Sequence, residues 1–300
     1  MEAGSTEDAN AATTKLDTLS AFQIVAAINE EDAKIAAVVK TALPQIGKAV
    51  EVIAAAMAKG GRLIYLGCGS SGRLGVLDAA ECPVTFGLEE GRVLAVMGGG
   101  PEAVFASLPQ VEDQAAQAAR DLQDLQLTEV DVLVALSASG QAAYVLGGVA
   151  AARKAGCSSI CVTANSHSPL AAAVDLPICI PTGPEVIAGS TRMKAGTGTK
   201  MVVNMLSTGA MVLQKRVYGN RMLCFRAHGC AKLRRRALRM VEELGGVGQA
   251  GAETALEEAD WDCQLALLMV KGGLGLEEAR RRLAAADGDF RAALSPSPDS

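Results

Sequence analysis

Three groups of residues in this sequence have the types and spacing to handle an anion. The first is Gly67-Cys68-Gly69-Ser70-Ser71-Gly72, between an apolar run and a helical pattern. Glycines let a backbone approach an anion closely. Ser70 and Ser71 would bring hydroxyls and N–H groups to a helix N-terminus, where the dipole favours negative charge. The segment matches Gly-x-Gly-x-x-Gly, but no Lys follows as in a Walker loop. The next apolar run ends in Gly98-Gly99-Gly100 rather than in the acid a dinucleotide ribose would need. The second group is Ser137-Ala138-Ser139-Gly140, placed in the same way. Two serine–glycine turns at strand ends of one sheet can converge on one monophosphate. The third lies in Gly183–Met205, where Ser190, Thr191, Arg192, Lys194, Thr197 and Lys200 open a helical pattern and could complete an anion site. An ordinary helix start with solvent-facing charges accounts for that third group equally well. Two carboxylates, Glu81 and Glu112, stand where the flanking helical patterns pass the same region. From spacing alone, each reads more readily as a surface acid than as a functional one.

The elements that would position these residues alternate. Apolar runs rich in Val and Ile at Arg62–Leu66, Arg92–Val96, Asp131–Leu136, Ser158–Val162 and Leu176–Ile180 predict strands buried on both faces of a parallel sheet. Pro177 restricts the last to an edge. Helical patterns fall between them, at Ser71–Ala80, Glu102–Leu122, Ser139–Ala155 and about Pro169–Val174. This order predicts an α/β fold, a doubly wound five-stranded parallel sheet flanked by helices, with ligands beyond the carboxyl ends of the strands. Helices should precede it from Thr18 to Lys59, capped by Thr18 or Ser20, begun or kinked at Pro44 and stopped by Gly60-Gly61. A long helix should follow from Ser190 to Val217. Its few charges and its glycines require packing, and a partner copy of the chain would supply it. After about residue 235 the texture changes to short helices between glycine pairs. The expected organisation is a disordered N-terminus over 1–17, the α/β domain over 18–235, a small helical (UBA-like) domain over 236–294 with Trp261 in its core, and a disordered tail over 295–300.

Composition narrows the class. The 300 residues are 50% hydrophobic, enough for one large core or a large and a small one, with 32 glycines and 3% aromatics. The net charge of -5 argues against nucleic-acid or membrane partners. The one basic run, Lys232–Arg239, reads as a solvated helix face. The 8 cysteines form no Cys-x-x-Cys pair, and several sit in apolar runs, so free buried thiols in a reducing compartment are expected and no metal site. No secretory leader pattern opens the chain, and a cytoplasmic location is expected.

The stretches Gly61–Gly87, Ser137–Gly140 and Gly183–Met211 resemble the N-acetylmuramic acid 6-phosphate etherase family of the sugar isomerase (SIS) superfamily, related to the glucokinase regulatory protein. The likeness runs from about Leu16 to Leu294. Its most specific motifs are Gly-Ser-Thr-Arg-Met-Lys-Ala-Gly-Thr at Gly189–Thr197 and Leu-Asp-Ala-Ala-Glu-Cys-Pro-Val-Thr-Phe-Gly at Leu77–Gly87. The resemblance implies cleavage of a lactyl ether from a sugar phosphate without metal or redox cofactor, in cell-wall amino-sugar recycling, by a cytoplasmic homodimer. It implies Glu81 and Glu112 as the catalytic acids, here labelled general acid and general base, a pairing that could be exchanged. The phosphate would rest on Ser70, Ser71, Ser137, Ser139 and Gly140, with Ser190, Thr191, Lys194 and Lys200 as further substrate contacts. The sequence departs from the family pattern at Ser70, where Thr is usual, and at Gln141-Ala142-Ala143, where Arg-Thr-Pro is usual. Pro109-Gln110 also interrupts the usual acidic stretch before Glu112. The other readings are a non-catalytic sugar-phosphate sensor and a sugar-phosphate isomerase.

Overall fold

The computed structural model describes residues 6–225, 227 and 230–295. The chain divides into two compact units, Met1–Glu81 with Glu90–Ala210, and Cys82–Glu89 with Met211–Ser300.

Among its described residues, the first unit holds five parallel strands, β1 (Leu63–Gly67), β2 (Val93–Met97), β3 (Val132–Leu136), β4 (Ser158–Thr163) and β5 (Leu176–Cys179), in the order β2-β1-β3-β4-β5. β1 and β3 are fully buried along their length, as expected of central strands covered on both faces. Leu63, Ile64, Leu66, Leu133, Leu136 and Ile160 have no more than 1% exposure, each burial contributing about 1.5–3 kcal/mol. β5 pairs with β4 alone, so Pro177 lies on the edge. β1 lies between a strand that follows it directly in the chain and one reached across the sheet. The β1–β3 pair is therefore the topological switch point, where such sheets leave a crevice.

Three α-helices precede the sheet: α1 (Ala21–Asp32), α2 (Ile35–Thr41) and α3 (Leu43–Ala58). Ser20 and Gln23 form a reciprocal capping box on α1, and Pro44 falls in the first turn of α3, where its missing N–H costs nothing. Between and after the strands come α4 (Gly69–Phe86), α5 (Glu102–Phe105), α6 (Ala115–Gln123), α7 (Ala143–Lys154), α8 (Pro169–Ala173) and α9 (Lys194–Leu213).

Four expectations are corrected. The helix expected over Glu102–Leu122 is broken: α5 ends at Phe105, a 3-10 turn runs over Pro109–Asp113, and α6 begins at Ala115. Pro109 disfavours helical geometry at Leu108, so one element becomes three. α4 runs on through Pro83 to Phe86 and stops before Gly87 at φ +62°. α9 begins at Lys194, not Ser190, because a buried acid caps it there. Residues 6–17 are not disordered. They carry two 3-10 turns, Ala11–Thr13 and Leu16–Thr18, and Thr13 donates to the Val186 carbonyl at 2.9 Å. Residues 1–5 and 296–300 lie outside the described residues.

The second unit holds, among its described residues, a short hairpin, β6 (Val217–Tyr218) and β7 (Arg221–Met222), and five helices: α10 (Ala231–Gly245), α11 (Gln249–Glu258), α12 (Cys263–Gly272), α13 (Leu276–Ala285) and α14 (Phe290–Leu294). Gly246 and Gly273 end α10 and α12 in the left-handed conformation that glycine adopts without strain. Val241, Leu256, Leu267, Leu268 and Phe290 form the core, and Trp261 packs half-buried against it. No helix among the described residues is long and apolar enough to cross a membrane.

Candidate functional site

The two serine loops leave the sheet side by side. Gly67, the last residue of β1, is in register with Leu136, the last of β3, so the loops start one strand spacing apart at the switch point. The first loop needs its glycines. A Cβ at Gly67 would lie 2.8 Å from the Gly72 backbone, and one at Gly72 would lie 2.5 Å from the Gly67 carbonyl oxygen. The chain thus folds back on itself as it enters α4, leaving Ser70 and Ser71 partly exposed at the helix N-terminus. In the second loop Gly140 sits at φ +65°, and a Cβ there would lie 2.3 Å from Ser168 Oγ. Ser137 Oγ accepts the Gly140 N–H at 3.1 Å and Ser139 Oγ accepts the Gln141 N–H at 3.2 Å. Each hydroxyl keeps its own hydrogen to donate to a ligand.

Glu112 joins the first loop. Its Oε1 lies 3.5 Å from where a Cβ on Gly69 would be, so the carboxylate reaches the backbone of the first loop. The 3-10 turn that carries it is anchored from below. Val111 is buried, and side chains at Gly98 or Gly99 would collide with its methyls at 2.9 and 3.2 Å. The Gly98-Gly99-Gly100 run after β2 therefore makes room for Val111, which seats Glu112. Arg73, in the first loop's own helix, holds the segment that leads into this turn. Its guanidinium donates to the carbonyls of Val104 at 2.8 Å, Ala103 at 2.8 Å and Ala106 at 2.5 Å, tying the end of α5 to the start of α4. Sequence reasoning missed Arg73, although its position one residue after Gly72 was a signal.

Glu81 is placed differently. It is exposed, eleven positions beyond Ser70 on the same helix. That offset returns to within about 20° of the Ser70 face and advances about 16 Å along the axis. Leu77, 46% exposed, and Val84, 55% exposed, flank it on that face.

Lys194, expected to contact a ligand, is turned inward. It is 3% exposed and its ammonium lies 2.6 Å from Glu31 Oε2, where Asn10 also donates at 3.0 Å and Lys34 closes on the other oxygen. Burial would raise the Glu31 pKa, but hydrogen bonds from Lys194, Lys34 and Asn10 outweigh it and hold the group at about 2. Fully buried Glu185 accepts the N–H groups of Lys194 and Ala195, each at 2.9 Å. The N-terminus of α9 thus receives its anion from the chain itself. Ser190 and Thr191 lie partly exposed in the turn before it. Lys200 is half-buried on α9, bonded to Asn204 and 3.9 Å from Asp78 Oδ1, while Asp78 Oδ2 accepts from Tyr65 at 2.8 Å.

None of the eight cysteines is in a disulfide; Cys230 is exposed and Cys179 partly exposed rather than buried. Burial, aided by the Glu112 charge, pushes Cys68 up to about 12, so the thiol in the first loop stays protonated and is no nucleophile. Among the described residues no cluster of His, Cys, Asp and Glu could hold a metal. An apolar-walled cavity of about 460 Å³ in the first unit is lined by Asn10, Thr13, Leu16, Ile24, Val186 and Ile187 among others, and includes no residue of the serine loops.

Residues 45–153 match the family described as the glucokinase regulatory protein N-terminal SIS domain, and residues 107–209 match the SIS domain. The chain is 46% identical over 288 residues to N-acetylmuramic acid 6-phosphate etherase of Yersinia pestis (strain Pestoides F), covering 96% of this chain and 97% of that protein. The etherase of Yersinia pseudotuberculosis serotype O:1b (strain IP 31758) matches to the same extent. Among solved structures, the c3406 protein of E. coli CFT073 has the same fold. Its TM-score is 0.50 at 19% identity, over 67% of this chain and 97% of that one.

Proposed function

The chain belongs to the N-acetylmuramic acid 6-phosphate etherase family, and we propose how its residues divide the work. The enzyme is a carbon–oxygen lyase. It cleaves the lactyl ether of N-acetylmuramic acid 6-phosphate with water, giving N-acetylglucosamine 6-phosphate and D-lactate, in amino-sugar recycling.

The phosphate binds at the N-terminus of α4 and the loop after β3, on Ser70, Ser71, Ser137, Ser139 and the Gly140 backbone. Neutral donors fixed by tight glycine turns need no reorganisation when the anion arrives. Glu112 is the general base that takes the C2 proton of the open-chain aldehyde. Glu81 is the general acid that protonates the departing ether oxygen at C3; standing about 16 Å along α4 from Ser70, it serves the sugar held by the serine loops of the other copy in the homodimer. Elimination leaves an unsaturated aldehyde, and water adds back at C3 to restore the hydroxyl. Ser190, Thr191 and Lys200 contribute weaker substrate contacts, and Lys194 serves the fold through Glu31. The observation that carries this reading is the reach of Glu112 to the Gly69 backbone.

The enzyme works as a homodimer in the cytoplasm. The support is apolar surface left open in the first unit, Leu77 at 46% exposure beside Glu81 on α4, and Phe22 at 79% and Val25 at 59% on α1. Light scattering should return twice the chain mass at micromolar concentration. A monomer mass there would reject this.

The testing experiment is incubation with N-acetylmuramic acid 6-phosphate. Equal amounts of D-lactate and N-acetylglucosamine 6-phosphate are expected. Substrate binding with no lactate would favour a sensor instead, the reading that the regulatory-protein match over residues 45–153 supports.

A further inference from the structure

The second unit carries a feature that the etherase reaction does not use. Lys232, Arg235, Arg236 and Arg239 fall at i, i+3, i+4 and i+7 on α10, so they form one stripe. The stripe is about 10 Å long. Arg221, from the hairpin strand β7, joins it, and the five cations with Met240 line a cavity of about 420 Å³. Arg236 also bonds Met222 Sδ at 3.2 Å, which holds its guanidinium against the hairpin. Arg234 points elsewhere and stacks on Trp261 at 4.5 Å.

The counter-charge is meagre. Glu243 lies 3.0 Å from Arg221 and 3.4 Å from Arg239, and no ion pair to Lys232 or Arg235 exists among the described residues. Like charges one helical turn apart repel, so the stripe lowers helix stability unless an anion answers it. The chain as a whole is negative by 5, so this local excess runs against the composition.

We propose that this cavity is a second anion site, and that its ligand is the di- or triphosphate group of a small soluble metabolite. The charge count requires more than one phosphate: one carboxylate against five cations leaves a surplus of four. The length of the stripe also suits consecutive phosphates. The volume falls within the range of small-molecule pockets. Nucleic acid and anionic membrane are disfavoured because the rest of the negative chain would repel them.

The test is calorimetric titration of the full chain with tripolyphosphate, in a Ser71→Ala/Ser139→Ala background that silences the serine loops. One site per chain is expected, with inorganic phosphate binding at least about tenfold more weakly. Arg235→Gln should weaken tripolyphosphate about tenfold, and Arg235→Glu should remove measurable binding. Arg235 is exposed, so both variants should keep the parent melting temperature, and Arg235→Gln alone should release D-lactate at the parent rate. The proposal is overturned if tripolyphosphate binds only when both loop serines are present, or if Arg235→Glu binds it as the parent does. It is also overturned if phosphatidylserine vesicles or a single-stranded oligonucleotide bind more tightly than tripolyphosphate with the same dependence on Arg235. The titration reads binding alone, so it stands or falls separately from the etherase assay.

Discussion

The serine loops and the α10 stripe, the two proposed anion sites, are built in different ways. The loops offer no cation. Their donors are hydroxyls and backbone N–H groups, held by turns so tight that Gly67, Gly72 and Gly140 admit no side chain. The stripe offers almost nothing but cations on long stems. Neutral, preorganised donors select by shape, and they suit a monophosphate that must be held in one pose beside Glu112. Clustered full charges select by charge count and are far more sensitive to salt. The anion site proposed for catalysis is therefore not the most basic surface among the described residues.

The steepest losses fall on the loop side. Glu112→Gln should lower lactate release by about 10²- to 10⁴-fold, and Glu81→Gln should do the same, while Arg235→Gln leaves it unchanged. Loss of turnover in Arg235→Gln, measured by coupled lactate assay, would erase the distinction between the two regions.

Lys194→Met should strike the fold rather than the chemistry. Leaving Glu31 buried without that partner should cost about 3–5 kcal/mol, read by denaturant unfolding. The sign of the pH dependence follows from the depressed Glu31 pKa. Its contribution is fully present above 4.5 and is lost as pH falls from there toward about 2, and Lys194→Met should flatten that slope. Unchanged stability with a raised KM would mean that Lys194 faces substrate.

Arg73→Ala should lower kcat by about 10²-fold through misplacement of Glu112, with a small change in stability. Arg73→Lys should not rescue it, because an ammonium cannot reproduce the guanidinium fork on three carbonyls. Full activity in the Lys variant would reduce Arg73 to a point charge.

Ser71→Ala should weaken phosphate-bearing ligands about tenfold, as expected for one hydrogen bond to a charged group. This loss should change little with salt, whereas tripolyphosphate binding at the stripe should fall severalfold between about 50 and 200 mM salt. Equal salt dependence at the two regions would blur the comparison.

The sheet and both serine loops were legible because they are local. Each strand is a short apolar run, and each loop sits between such a run and a helical pattern. Glu112 was legible as a residue but not in its setting. The periodicity of 102–122 reads through Pro109, which breaks the helix at Leu108, and only the packing of Val111 under Gly98 and Gly99 shows where the resulting turn is seated. The buried charges were illegible. Lys194 meets Glu31 across 163 positions, and nothing in the spacing of a Gly-Ser-Thr-Arg-Met-Lys run says that its last cation turns inward. The basic run on α10 showed its spacing plainly, but Arg221 closes the cavity from a hairpin that short runs of two residues do not announce.

The proposed loop-side chemistry turns on one proton transfer, from C2 to Glu112 at the first serine loop. Proton NMR of N-acetylmuramic acid 6-phosphate in deuterium oxide reads that transfer, with the parent enzyme, Glu112→Gln and Glu81→Gln compared side by side. Glu112→Gln should stop both deuterium entry at C2 and lactate release, while Glu81→Gln should stop release and leave exchange running. Exchange that survives in Glu112→Gln and vanishes in Glu81→Gln would contradict this assignment.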